Sequence, residues 1–356
     1  MADNRVITAQ QRAMLFGANT RQHFQMLGSK EIIGGAQTIT FNIPKVRLLQ
    51  SVRLLVECTY NIKGSSSLAK PENETLLPYK LLRRVSIDFN NGFSPIVISG
   101  KNMALLNMLR LDPHIIEYAD NYKTLSTVET FTASSSGTDN KISFMLELPL
   151  TLNERDPVGL VLAQSQETNI TIQCDIANDS VLCEHDSSAT GIIKNLKITP
   201  ELTTFSVPKM QEAFPDMSVL RVVSENNDIL QSGGSNTIKM QTCMIYRKLM
   251  LYFTDENGNP LSDEEITSNI EIVLNSADIP YSINPKMLRY MNTSQLGYQL
   301  PKGVYVFDFS NQGIPSYGGS RDYLDTERVT QFEVRFTPSK SGILTVISEK
   351  LSRLIG

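Results

Sequence analysis

Val85–Met108 reads VSIDFNNGFSPIVISGKNMALLNM, and Ile270–Thr293 reads IEIVLNSADIPYSINPKMLRYMNT. The two align without a gap at an offset of 185, and six of 24 positions are identical: Ile87/Ile272, Asn90/Asn275, Pro95/Pro280, Ile98/Ile283, Lys101/Lys286 and Asn107/Asn292. The order continues downstream. Lys141–Leu150 (KISFMLELPL) answers to Lys302–Asn311 (KGVYVFDFSN), and Asn169–Asp175 (NITIQCD) to Gln331–Thr337 (QFEVRFT). Gly191–Ile198 pairs loosely with Gly342–Glu349. Matches in the same order through both halves are the signature of one β-rich unit written twice.

Working outward, most of these stretches alternate. Ile39, Phe41 and Ile43 fall on one face, as do Val52, Leu54, Val56, Cys58 and Tyr60. Val85, Ile87 and Phe89 do the same, as do Ile142, Phe144, Leu146, Leu148 and Leu150, then Ile170, Ile172, Cys174 and Ile176. Ile270, Ile272 and Leu274, then Phe332, Val334 and Phe336, repeat the pattern in the second half. A period of two with one apolar face predicts antiparallel sheets covered on one side. Thr237–Phe253 exceeds the usual strand length and changes face near Arg247, which predicts one bent or bulged strand.

Helices are few. Asn284-Pro285 opens a helix over Lys286–Met291, and Ser99 caps its counterpart over Lys101–Leu109. Asp112-Pro113 and Asp156-Pro157 give the same start signal before Ile115–Tyr118 and Val158–Ala163. Lys63–Asn73 and Thr132–Asn140 read as exposed loops, and Glu201–Pro208 as the junction between halves. Residues 1–30 lack strand alternation and predict an interrupted helix from about Thr8 to Leu27. The expected organisation is an N-terminal arm, partly helical, over residues 1–30, a first unit over 31–200 and a second over 201–356.

At 356 residues and 41% hydrophobic content, the chain can bury two cores. No apolar run reaches membrane-spanning length, and the polar start Met1–Gln10 argues against an exported chain. Cys58, Cys174, Cys183 and Cys243 are too few to staple a chain this long, which predicts reduced, structural thiols. The net charge of −4 is uneven: residues 1–30 carry Arg5, Arg12, Arg21 and Lys30 against Asp3, and residues 340–356 carry Lys340, Lys350 and Arg353 against Glu349. Two basic ends on an acidic body suggest that the ends meet something anionic.

No catalytic constellation emerges. The three histidines, His23, His114 and His185, fit neither a zinc-protease nor a zinc-finger spacing. Cys174, Cys183 and His185 lack a fourth ligand nearby. Asp255, Asn257 and Asn259 begin like a calcium loop, but Gly258 and Ile266 fall where that loop needs other residues, so Asn257-Gly258 reads as a turn. The acidic pairs Glu154/Asp156 and Glu264/Glu265 can be imagined in glycoside hydrolysis, yet the chain has no tryptophan for a sugar platform. No aromatic-basic cluster points to sequence-specific nucleic-acid binding.

With these features, and segments such as LPLTLNERDPVGLVLAQSQETNITIQCDI (Leu148–Ile176) and YLDTERVTQFEVRFTPSKSGILTVI (Tyr323–Ile347), the chain resembles the tectivirus-type double jelly-roll major capsid proteins of membrane-containing tailless bacteriophages, on the branch infecting Gram-positive bacteria. The resemblance implies an all-β fold of two tandem eight-stranded antiparallel jelly rolls. It further implies a non-enzymatic homotrimer with a pseudo-hexagonal outline and no cofactor. Such trimers, made in the host bacterial cytoplasm, tile an icosahedral shell around an internal membrane that encloses the viral DNA. A vertex (penton) protein and minor membrane proteins are the implied partners. Because the chain ends would lie toward the membrane, Arg5, Arg12, Phe16, Arg21, Phe24, Leu27, Lys350 and Arg353 become candidates for facing lipid or a neighbouring capsomer. Two other readings compete. A carbohydrate-binding or carbohydrate-active β-sandwich predicts exposed aromatics gathered on one sheet. A vertex spike predicts a fibrous stalk repeat, which is absent.

Overall fold

The computed structural model describes residues 8–65, 76–90, 92–109, 131–152, 157–164, 169–310 and 323–353. The first half contains α1 (Ala9–Asn19), β1 (Gln22–Met26), β2 (Lys30–Ile32), β3 (Thr38–Asn42), β4 (Leu48–Lys63), β5 (Leu82–Phe89), β6 (Phe93–Ile98), α2 (Gly100–Met108), β7 (Thr138–Pro149), β8 (Val161–Leu162), β9 (Ile170–Ile176) and β10 (Thr190–Phe205). The second contains β11 (Val219–Leu230), β12 (Asn236–Met240), β13 (Ile245–Asp255), β14 (Ile270–Leu274), β15 (Asp278–Ile283), α3 (Pro285–Leu296), β16 (Val304–Asp308), β17 (Leu324–Asp325), β18 (Phe332–Phe336) and β19 (Gly342–Arg353).

The strands form two jelly rolls. Roll 1 packs the sheet β1-β10-β4-β7 against β3-β9-β5-β6. Roll 2 repeats this order with β11-β19-β13-β16 and β12-β18-β14-β15. Among the described residues, paired strands are antiparallel apart from β6 and β11, which pair in parallel at Ile96–Val223 and Val97–Ser224 and so join the two rolls in one nine-stranded sheet.

The repeated stretch occupies equivalent places in both rolls, and its identities have physical reasons. Val85 pairs with Ile98 and Ile270 with Ile283, so both hairpins keep one register. Asn90 and Asn275 take φ of 52° and 50°, a left-handed turn that asparagine tolerates better than most residues. Each also binds the next strand: Asn90 Oδ1 accepts from Asn169 N–H, and Asn275 Oδ1 from Thr330 N–H. Asn292 brackets Val306, donating to its carbonyl at 2.7 Å and accepting from its N–H at 3.0 Å. Asn107, with its amide oriented by the network, brackets Glu147 in the same way at 2.9 Å. Gly191 and Gly342 stand at the start of the equivalent strands β10 and β19, second and first in each. A Cβ on Gly191 would overlap the Tyr60 hydroxyl, and on Gly342 the Thr254 carbonyl.

Each roll has its own core. Phe144, Leu146 and Leu148 line roll 1, and Tyr305, Phe307 and Phe309 line roll 2. The first core also takes in Val223, Met250, Tyr252, Val304, Val306 and Ile347 from the outer face of a roll 2 sheet, so apolar side chains run across part of the seam between rolls.

Three expectations need correction. Thr237–Phe253 is two strands in different sheets, β12 and β13, parted where Cys243 turns with φ of 62°. The expected irregularity at Arg247 is present as a register shift between Tyr246 and Lys248. The N-terminal helix stops at Asn19, and residues 22–26 are an edge strand whose mixed Gln-His-Phe-Gln-Met sequence hides its period. Val158–Ala163 is a turn followed by β8 on β4, because Gly159 sits at φ of 91°, which breaks a helix. Within the expected junction Glu201–Pro208, β10 stays paired with β4 through Phe205. The helix start at Asp112-Pro113 and most of Lys63–Asn73 lie outside the described residues.

Candidate functional site

The expected site was the pair of basic chain ends, and the structure separates its members. Thr8 caps α1 through a reciprocal bond with Gln11, which fixes the helix start. This helix buries Phe16, 4% exposed, on its own roll: the ring meets Phe205 edge-on at 5.3 Å, within a small cluster that includes Leu48 and Leu160. Phe16 is therefore an anchor of the arm on its own roll. Leu27 is half-buried against the roll 1 core. Arg12 is half-buried, and its charge adds to the hydrogen bonds from Ser218 that hold the Asp216 carboxyl below its usual range. Arg21 is exposed, while its backbone exchanges bonds with Ser206. Phe24 and Met26 on β1 point outward. Arg5 lies outside the described residues.

At the other end, Lys350 is buried, in contrast to its expected place at a surface. Its ammonium donates to Gln241 Oε1 at 3.0 Å and lies 5.8 Å from the Tyr246 ring centre. Burial lowers its pKa. Arg353 is the last paired residue of β19, opposite Val219.

Beside Lys350 lies a cluster that sequence reasoning missed. Glu349 is buried and accepts from Arg221 Nη2 at 2.7 Å, with Arg247 Nε at 3.3 Å from its other oxygen. Burial alone would raise the Glu349 carboxyl, but Arg221, Lys248 and Arg247 outweigh it and hold it well below the usual carboxylate range. Arg221 also donates to the Pro149 carbonyl at 2.8 Å, tying β11 of roll 2 to β7 of roll 1. The sequence signal was polar residues interrupting apolar strands, which alone does not show that they converge.

A cleft of about 680 Å³ opens on the seam, between Lys80, Lys101 and Glu184 of roll 1 and Glu225 and Thr345 of roll 2. Lys101 lies 4.7 Å over the Tyr252 ring, and burial, aided by Lys80, lowers its pKa to about 8. Glu225 accepts from the Ser99 N–H at 2.8 Å. These contacts join the two rolls and the start of α2.

The remaining candidates have structural partners. Cys174 is buried on β9, Cys183 Sγ lies 3.9 Å from the Tyr60 hydroxyl, and His185 sits against Glu184; among the described residues no cluster with metal-binding geometry forms. Asp255 Oδ1 accepts from the N–H groups of Asn257 and Asn259, the expected turn. Glu265 caps a short helix and pairs with Lys340 at 2.5 Å, which brings its carboxyl down to about 2. Glu154 and Asp156 lie outside the described residues. Among the described residues, the exposed aromatics Phe24, Phe93 and Tyr290 sit on β1, β6 and α3 rather than gathered on one sheet. No described helix is long and apolar enough to cross a membrane.

In sequence, no known family model and no curated protein matches the chain. In structure, it is similar to the major capsid protein of Sulfolobus turreted icosahedral virus, with a TM-score of 0.65 and 13% identity over 94% of this chain and 97% of that one. It is similar to the capsid protein in a quasi-atomic model of the PBCV-1 capsid (TM-score 0.65, 10% identity, 93% and 94% covered). It is also similar to the major capsid protein P2 of bacteriophage PM2 (TM-score 0.54, 9% identity, 94% and 98% covered). At these identities the likeness is one of fold: the chain is a double jelly roll, aligned through both rolls and nearly end to end.

Proposed function

We propose that this chain is a viral major capsid protein that works by self-assembly rather than catalysis. The observation that carries the reading is the double jelly roll itself, shared across both rolls with capsid proteins of unrelated sequence. In the finer form, three copies make a pseudo-hexagonal block of six rolls, and these blocks tile an icosahedral shell around an internal membrane enclosing DNA. The setting is a tectivirus-like phage assembled in a bacterial cytoplasm, with a vertex protein and minor membrane proteins as further partners. The division between rolls falls between Phe205 and Val219, and the arm supplies the first strand of roll 1. Arg5, Arg12, Arg21 and Arg353 remain the candidates for an anionic surface, each Lys or Arg near such a bilayer contributing about 1 kcal/mol. Electron microscopy of the purified protein tests the block: class averages with a hexagonal outline and threefold symmetry are expected. Two-lobed single chains would overturn it.

A further inference from the structure

The repeat gives each surface of one roll a counterpart on the other, so a contact made inside the chain marks its equivalent outside it. Inside the chain, the edge strand β6 of roll 1 pairs in parallel with β11, the first strand of roll 2. The helix that follows, α2, lies on the same seam: Lys101 rests on the Tyr252 ring, and the Tyr298 hydroxyl meets the Met108 carbonyl.

The counterparts of β6 and α2 are β15 and α3, and these are bare. β15 has β14 on one side and no strand on the other among the described residues. On α3, Met287, Tyr290 and Met291 are 57%, 61% and 40% exposed, whereas Asn102, Leu105 and Leu106 at the same positions of α2 are 2%, 0% and 4% exposed. Lys286, the counterpart of Lys101, is exposed as well. The counterpart of β11 is β1, since each pairs with the last long strand of its own roll. β1 has an open side among the described residues, and it exposes Phe24 and Met26.

An open strand edge flanked by bulky apolar side chains is a surface that natural sheets cover or blunt. Here the two bare edges are the two halves of a contact the chain already makes once. We infer that β15 and α3 of one copy receive the β1 and β2 edge of a second copy, in the parallel sense of the β6–β11 pairing. The contact is heterologous, roll 2 on roll 1, and such contacts repeat until they close a ring. Three copies then give six rolls joined by six like seams, and in this respect the inference rests on the trimer reading above. Phe24 and Met26 become contacts between copies, and Lys286 enters the new seam as Lys101 enters the old one.

The test compares the full chain with a Met287→Asp, Tyr290→Asp variant, whose altered side chains are exposed in the single chain; a matching thermal melt verifies its fold. The variant is expected to raise the concentration at which trimers dissociate by about 100-fold or more. Amine cross-linking of mixed light- and heavy-isotope wild-type chains is expected to join Lys30 of one copy to Lys286 of another. A variant that stays trimeric like wild type, or the absence of mixed Lys30–Lys286 links in a wild-type trimer, overturns this surface and leaves the trimer standing. A wild-type chain that is monomeric throughout overturns both.

Discussion

Glu349 holds two guanidinium groups where water does not reach, so its charge decides whether the base of the seam is satisfied. Replacing it with glutamine leaves Arg221 and Arg247 buried beside a neutral group, at a cost of about 3–5 kcal/mol. Urea denaturation of Glu349→Gln measures this. The carboxyl is depressed in the folded chain, so its contribution is complete above its unfolded pKa near 4.5 and is lost as pH falls toward 2. The gap between wild type and variant therefore narrows on acidification through that window. Lys101 runs the other way. Its folded pKa is lowered from 10.5 to about 8, so the half-buried ammonium destabilises the fold below pH 8, and the penalty lifts as pH rises toward 10.5. Lys101→Met is expected to stabilise the isolated chain by about 1 kcal/mol at pH 7 and less at pH 10. Thermal melts at the two pH values read the difference.

Strands and helices were legible where burial imposes a period. β3, β4, β7, β9, β14 and β18 each have one face in a core, and their alternation follows from that. α2 and α3 carried caps, and the caps are made: Ser99 and Asn284 accept from Asn102 and Lys286 N–H groups. β1 was hidden because both its faces are partly open, so nothing forces alternation on it. β8 was hidden because a proline start signal says nothing about the left-handed glycine two residues later. The candidate site was the least legible. Charge counts placed Lys350 at a surface, but charge carries no information about which strand face is covered. The arm makes two predictions. Phe16→Ala removes the anchor of α1 at about 3 kcal/mol, seen as faster proteolysis or hydrogen exchange of residues 9–19. Replacing Arg5 and Arg21 with glutamine leaves Phe16, β1 and the Arg12–Asp216 attraction unaltered and tests the lipid role. Reduced flotation with anionic liposomes is expected, and unchanged flotation removes that role.

For the whole molecule, one design is used twice: a roll with an open edge, joined to the next roll through that edge. The chain makes the joint once internally, which among the described residues leaves an open edge on roll 2 and an open first strand on roll 1. On the proposed reading a single copy is one third of a block, and obligate assemblies commonly bury more than about 2,000 Å². The most direct measurement is the solution mass by light scattering, across dilution and at moderate salt. The account predicts a species of three times 39.7 kDa, about 119 kDa, or assemblies built from it, persisting on dilution. A stable 39.7 kDa monomer at every concentration would contradict it.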